Sequence, residues 1–60
     1  MERKYLCKAD DGHDFFEFEF YSKHRANSKA NHEDARNEYR SQHGRRSFKI
    51  LDTVRYDVNW

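Results

Sequence analysis

The chain has no proline, only two glycines, Gly12 and Gly44, and a single cysteine, Cys7. The near absence of breaker residues excludes long flexible linkers and low-complexity segments. A lone cysteine cannot form an internal disulfide, and a small protein without one suits a reducing compartment. No hydrophobic run is long enough to cross a membrane, and the first residues lack the basic-then-apolar layout of a secretory signal. We therefore expect one cytoplasmic domain, residues 1–60, that does not enter a membrane.

What the chain does have is aromatic and charged. Charged residues make up 38% of the sequence and apolar residues 35%, a balance that leans toward disorder. Ten aromatic residues, five Phe, four Tyr and one Trp, nevertheless supply a large buried area per residue. We expect the chain to fold, near the lower size limit at which a single core suffices.

A β-hairpin is predicted at the amino-terminal end. Asp11 and Gly12 lie between two alternating runs and indicate a two-residue turn. That turn pairs residue 10 with residue 13, Cys7 with Phe16 and Lys4 with Glu19, whereas a longer turn that included residue 13 would shift the register. The inward face would carry Tyr5, Cys7, Ala9, Phe16, Phe18 and Phe20, and the outward face Lys4, Leu6, Lys8, Phe15, Glu17, Glu19 and Tyr21.

A helix is predicted over about residues 32–43. Asn31 is a good amino-terminal cap, and Asp34 occupies the capping-box position three residues later. Gly44 is the natural end. An earlier start at Ser28 remains open.

The last strand is predicted over residues 48–60. Its even positions are apolar except Asp52, which would point into the core. We expect a bulge, a bend or a strand end near residues 51–53, so that Ile50 and Val54 both face inward.

These elements predict an α+β fold of ββαβ order, in which one helix packs on one face of a three-stranded antiparallel sheet of strand order 2-1-3. Ala35 and Tyr39 would form the inner stripe of the helix above the three inward phenylalanines. The other face of the sheet would stay uncovered, with Leu6, Phe15 and Tyr21 among charged groups, and the side of Leu51 stays open.

Neither a metal site nor an active site is expected. The four histidines, His13, His24, His32 and His43, lack the close pairing of structural zinc ligands. A single small sheet can hardly enclose a catalytic pocket, and Cys7 on the inward face should be an inert thiol. We therefore expect a protein without cofactor that is not an enzyme.

Charge is unevenly distributed, although the net charge is only +1. Residues 1–22 hold three basic and six acidic residues and sum to −3, whereas residues 23–49 hold eight basic and three acidic residues and sum to +5. The basic, Asn- and Ser-rich stretch 23–31 precedes the helix and suits phosphate, because helix amides could add to its donors. The first hypothesis is a module that binds nucleic acid or a nucleoprotein through Lys23, Arg25, Lys29, Arg36, Arg40, Arg45 and Arg46. A merely solvated basic loop carries about equal weight, because overall basicity is missing.

The second hypothesis is a protein-protein adaptor or inhibitor. Its surface would be the uncovered sheet face, with Leu6, Phe15 and Tyr21, or an exposed edge strand. Self-association into a homodimer is its simplest version. In size and compactness the chain resembles the small accessory proteins of phages, which would fit such a role.

Overall fold

The computed structural model describes residues 2–56. Two strands, β1 (Arg3–Asp10) and β2 (Phe15–Ser22), are followed by the helix α1 (Lys29–His43) and the strand β3 (Lys49–Arg55). The strands form one antiparallel sheet in the order β2-β1-β3, so the predicted ββαβ fold and strand order are confirmed. None of the described helices is long and apolar enough to cross a membrane.

The hairpin register differs from the predicted one by two residues. Cys7 lies opposite Phe18 and not Phe16. The reason is the connection, which holds four residues because Asp11 organises it: its Oδ1 accepts the backbone N–H groups of His13 and Asp14, both at 2.8 Å. A shift of two preserves both faces of a strand, so the predicted inward and outward sets are confirmed.

The ion pair between Lys4 and Glu19 survives the register change. Lys4 is directly opposite Tyr21, and Glu19 is its diagonal neighbour. The Lys4 Nζ still reaches a Glu19 carboxylate oxygen at 3.1 Å, because a long side chain spans a diagonal pair. The contact raises the pKa of Lys4 through the hydrogen bond to Glu19.

The core lies between the inner sheet face and α1. Its buried apolar residues are Tyr5, Cys7, Ala9, Phe20, Ala35, Tyr39, Phe48 and Ile50. Phe16 and Phe18 face the same side and pack against this core, but each is only partly buried. The ring centroids of Phe18 and Tyr39 are 5.1 Å apart, as are those of Tyr39 and Phe48. The predicted inner stripe of the helix, Ala35 and Tyr39, is thus confirmed.

The predicted helix start at Asn31 is wrong. The cap is Ser28, the alternative left open, whose Oγ accepts the Asn31 N–H at 3.2 Å. Asn31 is fully buried inside the first turn, where its Nδ2 donates to the His24 carbonyl at 3.1 Å and its Oδ1 accepts from the Thr53 hydroxyl at 2.8 Å. Both residue types make good caps, and the partners of Asn31 on distant segments decide between them.

The irregularity predicted in the last strand is confirmed as a β-bulge. Lys8 pairs with Asp52 and Ala9 with Ile50, which leaves Leu51 as the extra residue. The bulge removes Asp52 from the core, as the alternation required.

The residue that turns inward after the bulge is Thr53, and the prediction of Val54 is wrong. Thr53 lies opposite Cys7 and is buried, whereas Val54 lies opposite Leu6 on the outer face. A single inserted residue reverses the alternation, so the next inward position is three residues after Ile50. Residues 57–60 of the predicted strand lie outside the described part of the chain.

Candidate nucleic-acid interface

The seven basic residues named from the sequence do not form one surface. Four of them, Arg36, Arg40, Arg45 and Arg46, surround an open recess at the carboxyl end of α1. We call these four the arginine recess. Lys29, at the start of the helix, lies on the same helical stripe as Arg36 and Arg40, but Glu33 stands between them and about 16 Å of helix axis separates Lys29 from Arg40.

The basic loop, Lys23 and Arg25, is separate from the arginine recess. Lys23 lines a second recess together with three acidic residues, Glu2, Asp34 and Glu38. Arg25 is exposed, and its carbonyl accepts bonds from the N–H and hydroxyl of Ser28. The basic residues predicted as one site therefore lie in two separate groups, one at each end of α1.

The polar side chains predicted to help bind phosphate in the loop are already used within the protein. The Asn27 Nδ2 donates to Asp52 at 2.6 Å, and the Asn27 backbone N–H donates to the Thr53 hydroxyl at 2.8 Å. The Ser28 hydroxyl donates to the Arg25 carbonyl at 2.8 Å. Because a ligand would have to displace these bonds, the loop is poorly suited to hold phosphate.

The arginine recess is formed where the chain reverses after the helix. α1 ends at Gly44, as the sequence predicts, with a φ of 80° and an N–H that donates to the Arg40 carbonyl at 3.0 Å. Segment 44–48 then brings Arg45 and Arg46 beside the helix. The resulting recess has a volume of about 410 Å³, and its other lining residues are Tyr39, Gly44, Ser47 and Phe48.

Arg36 and Arg46 are held in place by aromatic rings and hydrogen bonds. The Arg36 guanidinium donates to the Phe48 carbonyl at 3.0 Å and lies 5.1 Å from the Phe48 ring centroid. The Arg46 guanidinium donates to the Tyr39 hydroxyl at 2.7 Å and lies 4.5 Å from the Phe16 ring centroid. These contacts orient the two guanidinium groups before any ligand arrives.

Arg46 also forms an ion pair with Asp11 in the hairpin loop. The backbone N–H groups of Asp14 and His13 and the Arg46 guanidinium hold the pKa of Asp11 well below its usual range. In turn, the Tyr39 hydroxyl and Asp11 raise the pKa of Arg46. Asp11 therefore stays ionised, and the charge of Arg46 is largely compensated.

Arg40 and Arg45 are the two cations of the recess that stay available. Both are exposed, and neither forms an ion pair with another residue between 2 and 56. Arg40 lies one helical turn from Arg36, so the two guanidinium groups project from the same stripe of α1. Arg36 likewise has no acidic partner among residues 2–56. The recess thus offers three cations without an acidic partner, and Asp11 compensates the fourth, Arg46.

The outer sheet face carries the second set of predicted residues, but they do not form one apolar patch. Phe15 and Tyr21 are 58% and 55% exposed, whereas Leu6 is partly buried. Phe15 and Tyr21 lie at opposite ends of β2, about 20 Å apart, with Glu17 and Glu19 between them.

Sequence reasoning missed Tyr56 on the outer face. It is 49% exposed, and its N–H donates to the Lys4 carbonyl at 2.9 Å. Its ring lies 5.1 Å from the Lys4 Nζ. The sequence offered no signal for this position, because the bulge at Leu51 sets which later residues face outward.

Cys7 is fully buried, and burial raises the pKa of its thiol to about 11. Among residues 2–56, no three His, Cys, Asp or Glu side chains converge in a way that could hold a metal ion. Comparisons with protein-family models, with curated proteins and with solved structures find no match to this chain.

Proposed function

We propose that this protein is a non-enzymatic binding module that contacts the phosphate backbone of nucleic acid, free or within a nucleoprotein, through the arginine recess. The proposal narrows the sequence hypothesis to Arg36, Arg40, Arg45 and Arg46. The observation that carries it is the exposure of Arg40 and Arg45, without acidic partners among the described residues, beside two arginines already held in place. Lys23, Arg25 and Lys29 are left with at most a peripheral role.

The chemistry of the guanidinium group supports a phosphate ligand. Its planar set of donors matches phosphate oxygens in a bidentate manner, and it stays charged at any physiological pH. Arg36 and Arg46 spend part of their donors on Phe48 and Tyr39, but each guanidinium has five N–H groups, so donors remain. Contacts to the phosphate backbone carry no sequence information, so we expect binding with little sequence preference.

The recess lies at the carboxyl end of α1, where the helix dipole disfavours an anion. This energy is smaller than that of the arginine-phosphate contacts. The negative end of a helix costs a nearby anion about 0.3–1 kcal/mol, and Arg40 in the last turn offsets part of it. A single hydrogen bond to a charged group contributes about 1.5–3 kcal/mol. Two or more arginine-phosphate contacts therefore outweigh the dipole.

Fluorescence anisotropy with labelled duplex DNA, duplex RNA and single strands at low salt tests the proposal. The double variant Arg40→Glu with Arg45→Glu should lose most of its affinity. The matched control, Lys23→Glu with Arg25→Glu, changes the net charge equally and should bind nearly as well as the unaltered protein. With three uncompensated cations, log K should fall with log salt at a slope of about −2.7, which is roughly a 40-fold loss for a fourfold rise in salt.

Two results would reject the proposal. One is the absence of binding to all of these nucleic acids at tens of micromolar, a range in which ordinary non-specific binding is detected. The other is a larger loss in the Lys23 and Arg25 control than in the arginine recess variant, which would move the site to the basic loop.

The second candidate function is a protein adaptor or inhibitor that uses the outer sheet face. The high exposure of Phe15 and Tyr21 favours it, since large aromatic side chains are enriched at protein interfaces. Its simplest form is a homodimer, which light scattering would detect. Phe15→Lys should then produce monomers and leave nucleic-acid binding unchanged, whereas a strict monomer before and after the change counts against a dimer.

A further inference from the structure

The edge of the sheet formed by β2 is regular along its whole length. All eight residues of β2 pair with β1 without a bulge, and within residues 2–56 no other strand lies beside β2. The opposite edge, β3, is interrupted by the bulge at Leu51. Of the usual means of protecting an edge, β2 has charged side chains, Glu17 and Glu19, but no bulge and no proline, and it is not shortened.

Two hydrogen bonds establish which backbone groups of β2 point away from the sheet. The Asp11 N–H donates to the Asp14 carbonyl across the hairpin loop, and the Tyr56 N–H donates to the Lys4 carbonyl from the other side of β1. Bonded and non-bonded pairs alternate in an antiparallel ladder, so odd-numbered residues of β1 bond to β2 and even-numbered ones to β3. The residues of β2 that direct their N–H and C=O groups outward are therefore Phe15, Glu17, Glu19 and Tyr21.

The outward N–H and C=O groups of these four residues are free to pair with another strand. Across the described residues 2–56, no side chain or loop backbone bonds to their N–H or C=O groups. The four residues are exposed, so water solvates these groups in the isolated chain. An added strand could pair with them without displacing any bond of the fold.

A second copy of β2 is a poor occupant of this edge. Two copies of β2 can pair antiparallel about a twofold axis with their aromatic faces on the same side. Two such registers pair seven residues of each copy. One sets Glu17 against the Glu19 of the other copy, and the other sets Glu19 against Glu19. Like charges directly opposite each other destabilise a pair of strands, so the edge is protected against self-pairing.

The charge around the edge indicates a basic occupant. Glu17 and Glu19 point to the outer face beside the open ladder. On the β1 side Lys8 lies opposite Glu17 and Lys4 pairs with Glu19, so a basic strand on the free side would repeat the pairing that β1 already makes. The recess at the far end of β2 is lined by Glu2, Asp34 and Glu38. Of the described residues 2–56, Lys23 is the only lysine or arginine that lines this recess. On the inner face, the partly buried rings of Phe16 and Phe18 offer apolar surface to the next strand position.

We propose that the open edge of β2 adds an extended strand from a partner protein in which basic and apolar residues alternate. Its Lys or Arg side chains lie opposite Glu17 and Glu19, and its apolar side chains extend the aromatic layer of Phe16 and Phe18. This surface is distinct from the arginine recess and does not depend on nucleic-acid binding.

A capped synthetic peptide in which lysine alternates with valine is a direct probe, with a glutamate-valine peptide as its control. In ¹H–¹⁵N NMR titrations of the full chain, the amides of Phe15, Glu17, Glu19 and Tyr21 should shift and gain protection from hydrogen exchange. The lysine peptide should bind at least about tenfold more tightly than the glutamate peptide, because two cross-strand pairs change from attraction to repulsion.

Two protein variants separate strand addition from simple charge attraction. Glu17→Pro removes the carboxylate and one backbone N–H, which points outward, so it leaves the ladder to β1 intact but blocks an incoming strand. Glu17→Gln removes the same charge and keeps the N–H. We expect Glu17→Pro to bind the lysine peptide at least about fivefold more weakly than Glu17→Gln, while circular dichroism reports that both are folded.

Three outcomes would overturn the proposal. They are no binding of the lysine peptide at millimolar concentration, equal binding by the two Glu17 variants, and shifts confined to Glu2, Asp34 and Glu38. The double variant Glu17→Lys with Glu19→Lys should instead prefer the glutamate peptide. Arg40→Glu with Arg45→Glu should bind the lysine peptide normally, so a failure here is distinguishable from a failure of the nucleic-acid proposal.

Discussion

Asn27 and Thr53 exchange hydrogen bonds in both directions across 26 positions of sequence. The Asn27 N–H donates to the Thr53 hydroxyl at 2.8 Å, and the Thr53 N–H donates to the Asn27 Oδ1 at 3.0 Å. Asn27 also has a φ of 61°, a left-handed conformation that asparagine tolerates better than most residues. These hydrogen bonds hold the loop before α1 against the middle of β3. They also satisfy the Thr53 hydroxyl, which is why a threonine can occupy an inward, buried position.

Replacing Asn27 should destabilise the fold. Asn27→Ala loses the side-chain bonds to the Thr53 N–H and to Asp52, although it keeps the backbone N–H, and it places a residue that disfavours positive φ there, so we expect a loss of about 2 kcal/mol in the free energy of unfolding. Asn27→Gly keeps the conformation and loses only the side-chain bonds, so its loss should be smaller. Urea denaturation followed by circular dichroism gives both values. An unchanged urea midpoint for Asn27→Ala would contradict this account of the loop.

Thr53→Val tests whether the inward hydroxyl matters more than apolar burial. Valine suits a buried strand position, but here it removes the partner of the Asn27 N–H and of the buried Asn31 Oδ1. Leaving such groups unsatisfied costs about 1–3 kcal/mol, so the variant should be less stable. The reverse change next to it, Val54→Thr on the outer face, should alter stability by less than about 1 kcal/mol. Thermal and urea unfolding of the pair would be compared, and a Thr53→Val protein more stable than the original would contradict the role of the hydroxyl.

Asp11 should contribute a component of stability that disappears in acid. Its pKa lies below the ordinary carboxyl value of 3.8 in the folded state, mainly because the Asp14 and His13 N–H groups and Arg46 bind the carboxylate. A depressed pKa means that the contribution is fully present above about pH 4 and is lost as the pH falls further.

Asp11→Asn isolates this effect, because an amide oxygen still accepts from His13 and Asp14 but carries no charge. The difference in urea midpoint between the two proteins should be constant from neutral pH to about pH 4 and shrink below it. A difference that grows in acid would show that the sign is wrong.

Cys7 should report on unfolding through its reactivity. Burial raises its pKa from 9.0 to about 11, which lowers the thiolate fraction about 100-fold at neutral pH, and none of its surface is exposed. Iodoacetamide should therefore modify the native protein very slowly and the urea-unfolded protein at the rate of a free thiol. In Ser41→Cys, at an exposed helical position, mass spectrometry should find one fast label, at residue 41. Fast labelling of Cys7 in the native state would contradict its burial.

The hairpin shows how far local pattern carries a prediction. Alternation assigns each residue of the two strands, 3–10 and 15–22, to one face of the sheet, because successive strand residues point to opposite sides. The pairing between strands depends instead on the loop, where Asp-Gly is compatible with both a two-residue turn and a longer connection. The bonds that the His13 and Asp14 N–H groups donate to the Asp11 carboxylate select the longer connection.

The candidate site shows the same division. The sequence identifies every basic residue, but its spacing cannot tell that Arg46 is compensated by Asp11, 35 positions away, while Arg40 and Arg45 stay exposed. Nor can it tell that the Asn27 side chain before the helix is occupied, since its partners Asp52 and Thr53 come from the last strand.

By itself, the sequence determined the ββαβ order, the inward faces of the hairpin and the end of the helix at Gly44, because periodicity and backbone preference act between near neighbours. Only the tertiary structure decided the strand register, the cap at Ser28, the inward turn of Thr53 and the gathering of four arginines in one recess. The register follows from the bonds that the hairpin loop makes to Asp11. The cap and the inward turn of Thr53 depend on which buried polar groups find partners far along the chain, and that choice is made only when the sheet and helix pack together.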